Sequence, residues 1–372
     1  MLAPLLALAA ATAAPAPSEL AGIWEGTVGN LPVRACFSHR ESGDFGAYYY
    51  LSRLRLIPLD AEEGTGGAFH EGGGTEQGSP RWMIERAEAE SLTARWTGGT
   101  RTLPVRLRRV ARMEDDESPC SSPVFHQPRL EGVRTVTSRA SLDGVAYSRI
   151  QLDVGERYDV SVETFALDGE GEAAQRINAA LRSSLASSPP QRFECIQDSL
   201  GYHAFEGALA ESLVPAMITG RWLSVSHHWD GDCGGAHPET SNNYRTFDLT
   251  AGREVNLHDW FNQAAVKRER LEGLEEDVTT LRPEFKRVVL EGWRAEDAEC
   301  GEIVRDEEYW NIGLGRRGLV FQPLLPRVVQ ACGDEFIVPF SRLRPFLTEE
   351  GAANLRALEA ESLARSQTAP AM

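Results

Sequence analysis

Short segments in which apolar and polar residues alternate, separated by glycines, fill residues 23–110. In one of them Leu103, Val105 and Leu107 alternate with a proline and two arginines, so one face of that segment is apolar and the other charged. The region contains no apolar repeat at helical spacing. This pattern predicts an all-β domain over residues 18–110, in which antiparallel strands close into a small barrel or sandwich.

The composition changes at residues 111–128, where an acidic run is followed by prolines and serines. Such a segment is typical of an interdomain linker. Over residues 129–350, strand-like alternation is mixed with apolar residues at helical spacing, which predicts an α+β domain with an antiparallel sheet and packed helices. A C-terminal helix and tail are expected over residues 351–372. The whole chain is therefore assigned to the α+β class.

Local spacing predicts the individual elements of this second region. Ile177, Leu181 and Leu185 recur at four-residue steps and predict a helix over residues 171–187. Further helices are predicted over Trp260–Glu275, Pro283–Trp293 and Glu349–Arg365. Strands are predicted over Val214–Thr219, Trp222–Trp229, Asn243–Leu249 and Glu335–Phe340, with a hairpin over Tyr309–Gln322.

The chain begins with an uncharged apolar run, residues 1–14, made mainly of leucine and alanine. Ala11-Thr12-Ala13 within it fits the small-x-small pattern of a signal-peptidase site. This pattern predicts a signal peptide over residues 1–17 and a periplasmic or secreted protein. No later stretch approaches the roughly 20 apolar residues that a membrane-spanning helix needs.

All six cysteines follow this apolar run. An even number in an exported chain favours disulfides, and no Cys-x-x-Cys pair of the kind used in redox or zinc sites occurs. Six cysteines allow many pairings, among which the sequence alone does not choose. Proximity along the chain favours three pairs: Cys36 with Cys120, Cys195 with Cys233, and Cys300 with Cys332.

The charge balance excludes one class of function. The chain has 55 acidic against 38 basic residues, a net charge of -17, so it offers no electropositive surface to nucleic acid. The acidic residues are too numerous for any pair to stand out as the carboxylates of a glycosidase. A Gly-x-Ser-x-Gly hydrolase motif is also lacking. The sequence therefore predicts no catalytic residue.

Side chains able to bind a metal cluster around one glycine turn: His227, His228, Asp230, Asp232 and His237. Imidazole and carboxylate ligands suit Zn²⁺, which gives the hypothesis of a zinc site formed by His237, His227 and Asp232. In a strand His227 and His228 point to opposite faces, so at most one of them joins His237. The competing, preferred hypothesis is structural, because Gly234 permits a tight chain reversal next to these residues.

Aromatic residues are candidates for stacking on a sugar or packing on a protein partner. Tyr49 lies between two tyrosines expected to point inward, so it is the predicted exposed member of that group. Trp24, Trp82 and Trp96 are assigned to the barrel core. The candidate ligand-binding residues are His237, Tyr49, Trp229 and Asp232.

A set of short motifs follows in fixed order: residues 234–238 (GGAHP), a strand, residues 250–252 (TAG) and residues 259–261 (DWF). Their order and spacing resemble a bacterial exported domain of unknown function that occurs in RsiV-type anti-sigma factors and PdaC-type peptidoglycan deacetylases. The resemblance extends over Tyr158–Leu347, where the cysteines are additions to the family's pattern. It implies a sensing or binding role in the cell envelope. The N-terminal domain resembles no family closely enough to name one.

The predicted function is non-catalytic binding of an envelope ligand, either a cell-wall glycan or an envelope protein of the lysozyme type. One alternative is a metal-dependent cell-wall hydrolase that uses His237 with a nearby histidine or aspartate, with zinc as its cofactor. Another is a structural, disulfide-stabilised envelope protein that binds neither metal nor ligand. The prediction itself requires no cofactor.

Overall fold

The computed structural model describes residues 17–40, 43–62, 67–72, 78–113, 117–183, 189–234, 237–270, 277–295 and 297–368. The predicted signal peptide lies outside these residues except for its last one. The described chain begins with a four-residue helix, α1 (Pro17–Leu20).

Eight antiparallel strands form a closed barrel, which confirms the predicted all-β domain. They are β1 (Gly22–Val28), β2 (Leu31–Arg40), β3 (Gly43–Tyr50), β4 (Ile57–Ala61), β5 (Ala68–Glu71), β6 (Arg81–Ala87), β7 (Ser91–Gly98) and β8 (Arg101–Ala111). Pairing of β1 with β8 closes the barrel, and Gly26 lies opposite Leu107. A Cβ atom at Gly26 would lie 2.0 Å from the Arg106 carbonyl oxygen, so a side chain there would prevent this close approach.

The barrel interior is filled by large side chains that the strand alternation points inward. Interior aromatic residues that are at most 1% exposed are Trp24, Phe37, Tyr48, Phe69 and Trp82. Each fully buried large side chain of this kind contributes roughly 1.5–3 kcal/mol to folding. The core assignment of Trp24 and Trp82 is confirmed, and Trp96 packs against the same cluster while remaining half-buried.

Part of the segment predicted as a linker folds into a helix on the outside of the barrel, α2 (Pro123–Leu130). Ser122 caps the helix by accepting a hydrogen bond from the backbone N–H of Val124. Phe125 is buried against the barrel, and the Tyr49 hydroxyl donates to the Phe125 carbonyl oxygen. Tyr49 is therefore fully buried, and its predicted exposure is wrong. The Tyr49 side chain lies on the outer face of the barrel, and α2 covers this face.

The second region is built on a seven-stranded sheet with strand order β15-β14-β13-β12-β11-β10-β9. Its strands are β9 (Arg134–Leu142), β10 (Val145–Asp153), β11 (Val160–Leu167), β12 (Ala208–Ile218), β13 (Trp222–Asp232), β14 (Glu239–Asp248) and β15 (Arg253–Val255). All neighbours are antiparallel except β11 and β12. Two helices, α3 (Glu172–Ser183) and α4 (Pro189–His203), connect this parallel pair.

Helix α3 confirms the helix predicted from four-residue spacing, and it buries Ile177 and Leu181. Leu185, the last residue of that pattern, lies outside the described residues. Helix α4 was not predicted. It buries Phe193 and Ile196 in a cluster with β11 and β12. These two residues are three positions apart, which is a helical spacing.

A further layer packs on the sheet through a hydrophobic core that includes Trp222, Trp260 and Trp310. Its strands are β16 (Val266–Glu269), β17 (Val278–Leu281), β18 (Trp310–Leu314), β19 (Gly318–Pro323) and β20 (Phe336–Pro339). Its helices are α5 (Pro283–Val289), α6 (Ala298–Asp306), α7 (Phe340–Leu343) and α8 (Glu349–Thr368), with 3₁₀ turns at Leu257–Trp260, Arg327–Cys332 and Arg344–Phe346. The hairpin, the last strand and the terminal helix match the predictions.

The helix predicted over Trp260–Glu275 is wrong. The chain turns at Asn262, whose side-chain oxygen accepts from the Ala264 N–H and whose amide nitrogen donates to the Leu347 carbonyl oxygen. It then enters β16, which pairs with β17. Residues 271–276 of the predicted helix lie outside the described residues.

Three disulfides join the cysteines in the pairs that chain proximity favours: Cys36–Cys120, Cys195–Cys233 and Cys300–Cys332. The first ties the segment before α2 to barrel strand β2. Among the described helices, none combines the length and the apolar character needed to cross a membrane.

Candidate functional site

A cleft of about 620 Å³ opens between β14 and the loop that follows β19. One wall is polar and comes mainly from β13, β14 and the 3₁₀ turn that contains Gln330, whereas the other is a run of leucines and prolines. The lining residues are His228, Thr240, Ser241, Asn242, Asn243, Gln322, Pro323, Leu324, Leu325, Pro326, Gln330, Gly333 and Glu335. The cleft is thus a concave surface with an apolar side and a hydrogen-bonding side.

The polar wall exists because most of β14 is an edge of the sheet. Strand β13 pairs with β14 on one side, but on the other side β15 pairs only with Thr246–Asp248, which leaves the earlier part of β14 without a strand neighbour there. Side-chain amides replace that neighbour at two points. The Thr240 N–H donates to the Gln330 side-chain oxygen at 3.2 Å, and the Tyr244 N–H donates to the Asn311 side-chain oxygen at 2.6 Å.

Glu335 holds the side chains of Asn242 and Tyr244 in place. Its Oε1 atom accepts from the Asn242 amide nitrogen at 2.6 Å and from the Tyr244 hydroxyl at 2.8 Å. Burial raises the pKa of Tyr244 above its ordinary range, and the hydrogen bond to Glu335 adds to the rise, so the hydroxyl stays a donor. Asn242 also accepts a bond from the Ser226 hydroxyl at 3.2 Å. The amide of Asn242 is therefore held in one orientation on the cleft wall.

The apolar wall is preorganised by its prolines. Pro323 and Pro326 flank two leucines, and the proline ring fixes the backbone φ angle at each of these positions. Leu324 is 47% exposed, so the cleft offers a large apolar side chain to a ligand. The Cys300–Cys332 disulfide ties the 3₁₀ turn behind this wall to α6.

Gln322 lines the cleft and carries an unsatisfied acceptor. Its side-chain oxygen is buried and has no hydrogen-bond partner among the described residues. A buried acceptor without a donor costs about 1–3 kcal/mol.

The residues proposed for a zinc site do not converge. His227 contacts Glu211 at 3.3 Å, Asp232 accepts from the Gly234 N–H at 3.2 Å, and the side chain of His237 is exposed. Within the ranges given above, no three His, Cys, Asp or Glu side chains lie close enough together to hold a metal ion. The side chains of the zinc hypothesis therefore do not lie together among the described residues, because strand alternation and the turn direct them to different places.

The glycine turn itself behaves as the structural hypothesis expects. Gly234 has φ = 79°, and a Cβ atom there would lie 2.0 Å from the ring of His203, so both conformation and space require glycine. Gly235 lies outside the described residues. Of the four proposed ligand-binding residues, Tyr49 is buried elsewhere, and Trp229, Asp232 and His237 are absent from the cleft lining.

His228 is the member of the histidine pair that reaches the cleft. The decisive lining residues, Asn242, Gln322, Gln330 and Glu335, were missed by sequence reasoning. They come from separate segments and match no motif, since single amides are common on any protein surface. The one usable signal in the sequence is the run Pro323–Pro326 after β19, in which two prolines flank two leucines.

Two solved structures are similar to part of the chain. One is a member of the DUF3298 family from Bacteroides fragilis, with 10% identity and a TM-score of 0.40 over 61% of this chain and 96% of that chain. The other is a DUF3298 family protein from Pseudomonas aeruginosa PAO1, with 11% identity and a TM-score of 0.36 over 59% of this chain and 97% of that chain. No family model matches the sequence, and no curated protein matches it either.

Proposed function

We propose that the chain is an exported, non-catalytic binding protein of the bacterial cell envelope, and that the cleft beside β14 recognises a cell-wall glycan bearing acetamido groups. The observation that carries the proposal is the pairing of an amide-rich wall with an apolar wall. Amide side chains donate and accept at once, as sugar hydroxyls and acetamido groups do. The cleft volume of about 620 Å³ suits a small ligand, since such sites typically measure roughly 300–1,000 Å³.

Export is supported by the disulfides. Three of them form, and all six cysteines are used, which is typical of proteins that fold in an oxidising compartment. The apolar run at residues 1–14 and the resemblance of Tyr158–Leu347 to an envelope domain agree with that location.

The test is calorimetric titration of the purified chain with N-acetylglucosamine oligomers and with soluble peptidoglycan fragments. We expect saturable binding. Asn242→Ala and Gln330→Ala each remove one hydrogen-bonding amide from the wall, so each should weaken binding by about tenfold. Gln127→Ala, an exposed glutamine on α2, is the matched control and should bind as the wild type does. Thermal melting checks that every variant is folded.

Other outcomes separate the competing functions. Binding to a lysozyme-type protein without binding to any glycan would overturn the glycan proposal in favour of a protein partner. Stoichiometric zinc that is lost in His237→Ala would favour the metal-dependent hydrolase. If no glycan, fragment or lysozyme-type protein binds, the binding function is wrong.

A further inference from the structure

The two sides of the seven-stranded sheet differ in how their edges are covered. On the β14 side, the side-chain oxygens of Gln330 and Asn311 accept hydrogen bonds from the backbone N–H groups of Thr240 and Tyr244. On the other side the edge is β9, and among the described residues no backbone hydrogen bond joins β9 to any segment except β10. A sheet edge with unpaired backbone groups is a template for another strand. Strand β9 is therefore the unprotected edge of this sheet.

The turn between β9 and β10 decides which backbone groups of β9 face outward. Asp143 and Gly144 form a two-residue loop with φ angles of 56° and 77°, as in a type I′ turn, and Leu142 pairs with Val145 across it. The pair that closes such a loop is hydrogen-bonded, and hydrogen-bonded pairs alternate along an antiparallel ladder. The residues whose N–H and C=O groups face away from β10 are therefore Thr135, Thr137, Arg139 and Ser141.

The side chains of β9 do not protect this edge. The strand contains no proline and no lysine, and its first six residues are exposed, among them Val136 at 42%. Its two arginines each lie beside an aspartate of the same chain. Arg134 is 3.0 Å from Asp153, and Arg139 is 3.7 Å from Asp168. The positive charges of β9 are thus balanced within the chain and do not repel an approaching strand.

We propose that β9 pairs with β9 of a second copy of this chain, antiparallel about a two-fold axis at Ser138, so that the two sheets join into one. This register overlaps all nine residues of the strand and places outward-facing positions opposite each other. Thr137 then lies opposite Arg139 of the second copy, and Thr135 lies opposite its Ser141. Because each such pair exchanges two backbone hydrogen bonds, the interface gains about eight of them.

The side chains of β9 are compatible with this self-pairing. The exposed Val136 lies opposite Ala140 of the second copy, so an apolar pair forms where an apolar side chain was open to water. No like charges are directly opposite, since Arg139 faces Thr137. A register centred on Arg139 would instead place two arginines opposite each other, which is destabilising. One strand pair is a small interface, so we expect a reversible dimer. The interface is separate from the cleft beside β14, and neither depends on the other.

The first test is sedimentation of the full chain over a range of concentrations, which should show a monomer–dimer equilibrium. Val136→Lys places a charge opposite Ala140 in each half of the interface, so it should weaken dimerisation by about tenfold. Met83→Lys is the matched control, because Met83 is an apolar residue on barrel strand β6 with a similar exposure of 37%. This variant should dimerise as the wild type does. Thermal melting checks that both variants are folded.

The second test is cross-linking at the proposed axis. The two copies of Ser138 would form a pair without hydrogen bonds, with Cα atoms about 4.5 Å apart, which is within the reach of a disulfide. Ser138→Cys should therefore form a covalent dimer on mild oxidation, seen on a denaturing gel. Arg134→Cys is the control, since at the end of the strand its two copies would lie about 27 Å apart.

A monomer at every concentration overturns the proposal. Equal dimerisation of the wild type and Val136→Lys, or equal cross-linking of Ser138→Cys and Arg134→Cys, also overturns it, because the dimer would then form elsewhere. Hydrogen exchange of the outward backbone N–H groups of β9 covers the remaining case. If they exchange slowly in a monomer, another segment of the same chain covers the edge, and the proposed dimer is wrong.

Discussion

At the scale of single residues, Arg129 connects the barrel to the second region. Its side chain is fully buried, and its guanidinium donates to the Leu54 carbonyl oxygen beyond β3 at 2.9 Å. It also donates to the Glu206 carboxylate and the Arg157 carbonyl oxygen. The guanidinium lies 4.0 Å from the ring centroid of Tyr158. One buried cation thus satisfies groups from both parts of the chain.

Arg129→Met should destabilise the protein by about 3–5 kcal/mol, because it leaves the Glu206 carboxylate buried without its partner. Arg95→Met is the matched control, since Arg95 forms an exposed pair with Glu85, and it should cost at most about 1 kcal/mol. Urea denaturation measures both free energies of unfolding. Similar losses in the two variants would contradict the role given to Arg129.

His126, three residues before Arg129, makes stability depend on pH. Burial lowers the pKa of His126 from 6.5 to about 3, and the Arg129 charge adds to the effect. Its ring nitrogen Nε2 donates to the Cys120 carbonyl oxygen at 2.8 Å, which opposes the shift. Because the pKa is lower in the folded state, the unfolded chain binds the additional proton. The stabilisation is therefore fully present above pH 6.5 and is lost as the pH falls towards 3.

His126→Gln should flatten this pH dependence. Between about pH 6 and pH 4, protonation of His126 in the unfolded chain should lower the folding equilibrium constant of the wild type by up to about tenfold per pH unit. The variant lacks this histidine, so its folding equilibrium constant should not show that decrease. The variant should be less stable than the wild type at neutral pH, where the buried ring packs well. Urea denaturation at both pH values measures the difference, with the exposed His237→Gln as control. An unchanged pH dependence in His126→Gln would contradict the assignment.

At the scale of elements, helix α3 contacts the turn before β15 at Gly252. Gly252 has φ = 65°, and a Cβ atom there would lie 2.5 Å from the Cα atom of Ala173. Gly252→Ala should therefore destabilise the protein by roughly 1–2 kcal/mol through backbone strain. Overpacking against Ala173 should add a further loss of about 1–3 kcal/mol. Gly155→Ala is the control, since Gly155 has φ = 58° with nothing within 4 Å. Equal melting temperatures of the two variants would contradict the predicted contact.

The Cys300–Cys332 disulfide should stabilise the cleft wall as a local element. Replacing both cysteines by serine opens a 32-residue loop and should cost about 3 kcal/mol. Hydrogen exchange should then accelerate in the 3₁₀ turn Arg327–Cys332 more than in the barrel strands. Uniform acceleration throughout the chain would show that the disulfide acts on global stability alone.

The elements that the sequence predicted well are those whose burial pattern is local. Strand β8 alternates on its own, and α3 repeats its apolar residues at four-residue steps, so both could be identified without tertiary information. The helix predicted from Trp260 failed because one side chain, Asn262, bonds to residues far along the chain and imposes a turn. Helix α4 begins with two prolines and was missed, although Phe193 and Ile196 follow helical spacing.

At the scale of the whole molecule, function depends on surfaces that only the fold assembles. The cleft joins β14 to residues that lie 90 and 93 positions later in the chain, as the bonds from Thr240 to Gln330 and from Asn242 to Glu335 show. Of the candidate residues around the glycine turn, Asp232 bonds within the turn and His228 is the one that lines the cleft. Sequence proximity predicted the disulfides and failed for the site.

The measurement that tests the proposed function most directly is an NMR titration of the side-chain amide signals of Asn242, Gln322 and Gln330 with an N-acetylglucosamine oligomer. We expect these signals to shift together with a single saturable affinity, because all three amides line one cleft. The Gln127 amide on α2 should not move. Absence of any shift at the cleft, or shifts confined to residues elsewhere, would contradict the assignment of a glycan site to the edge of β14.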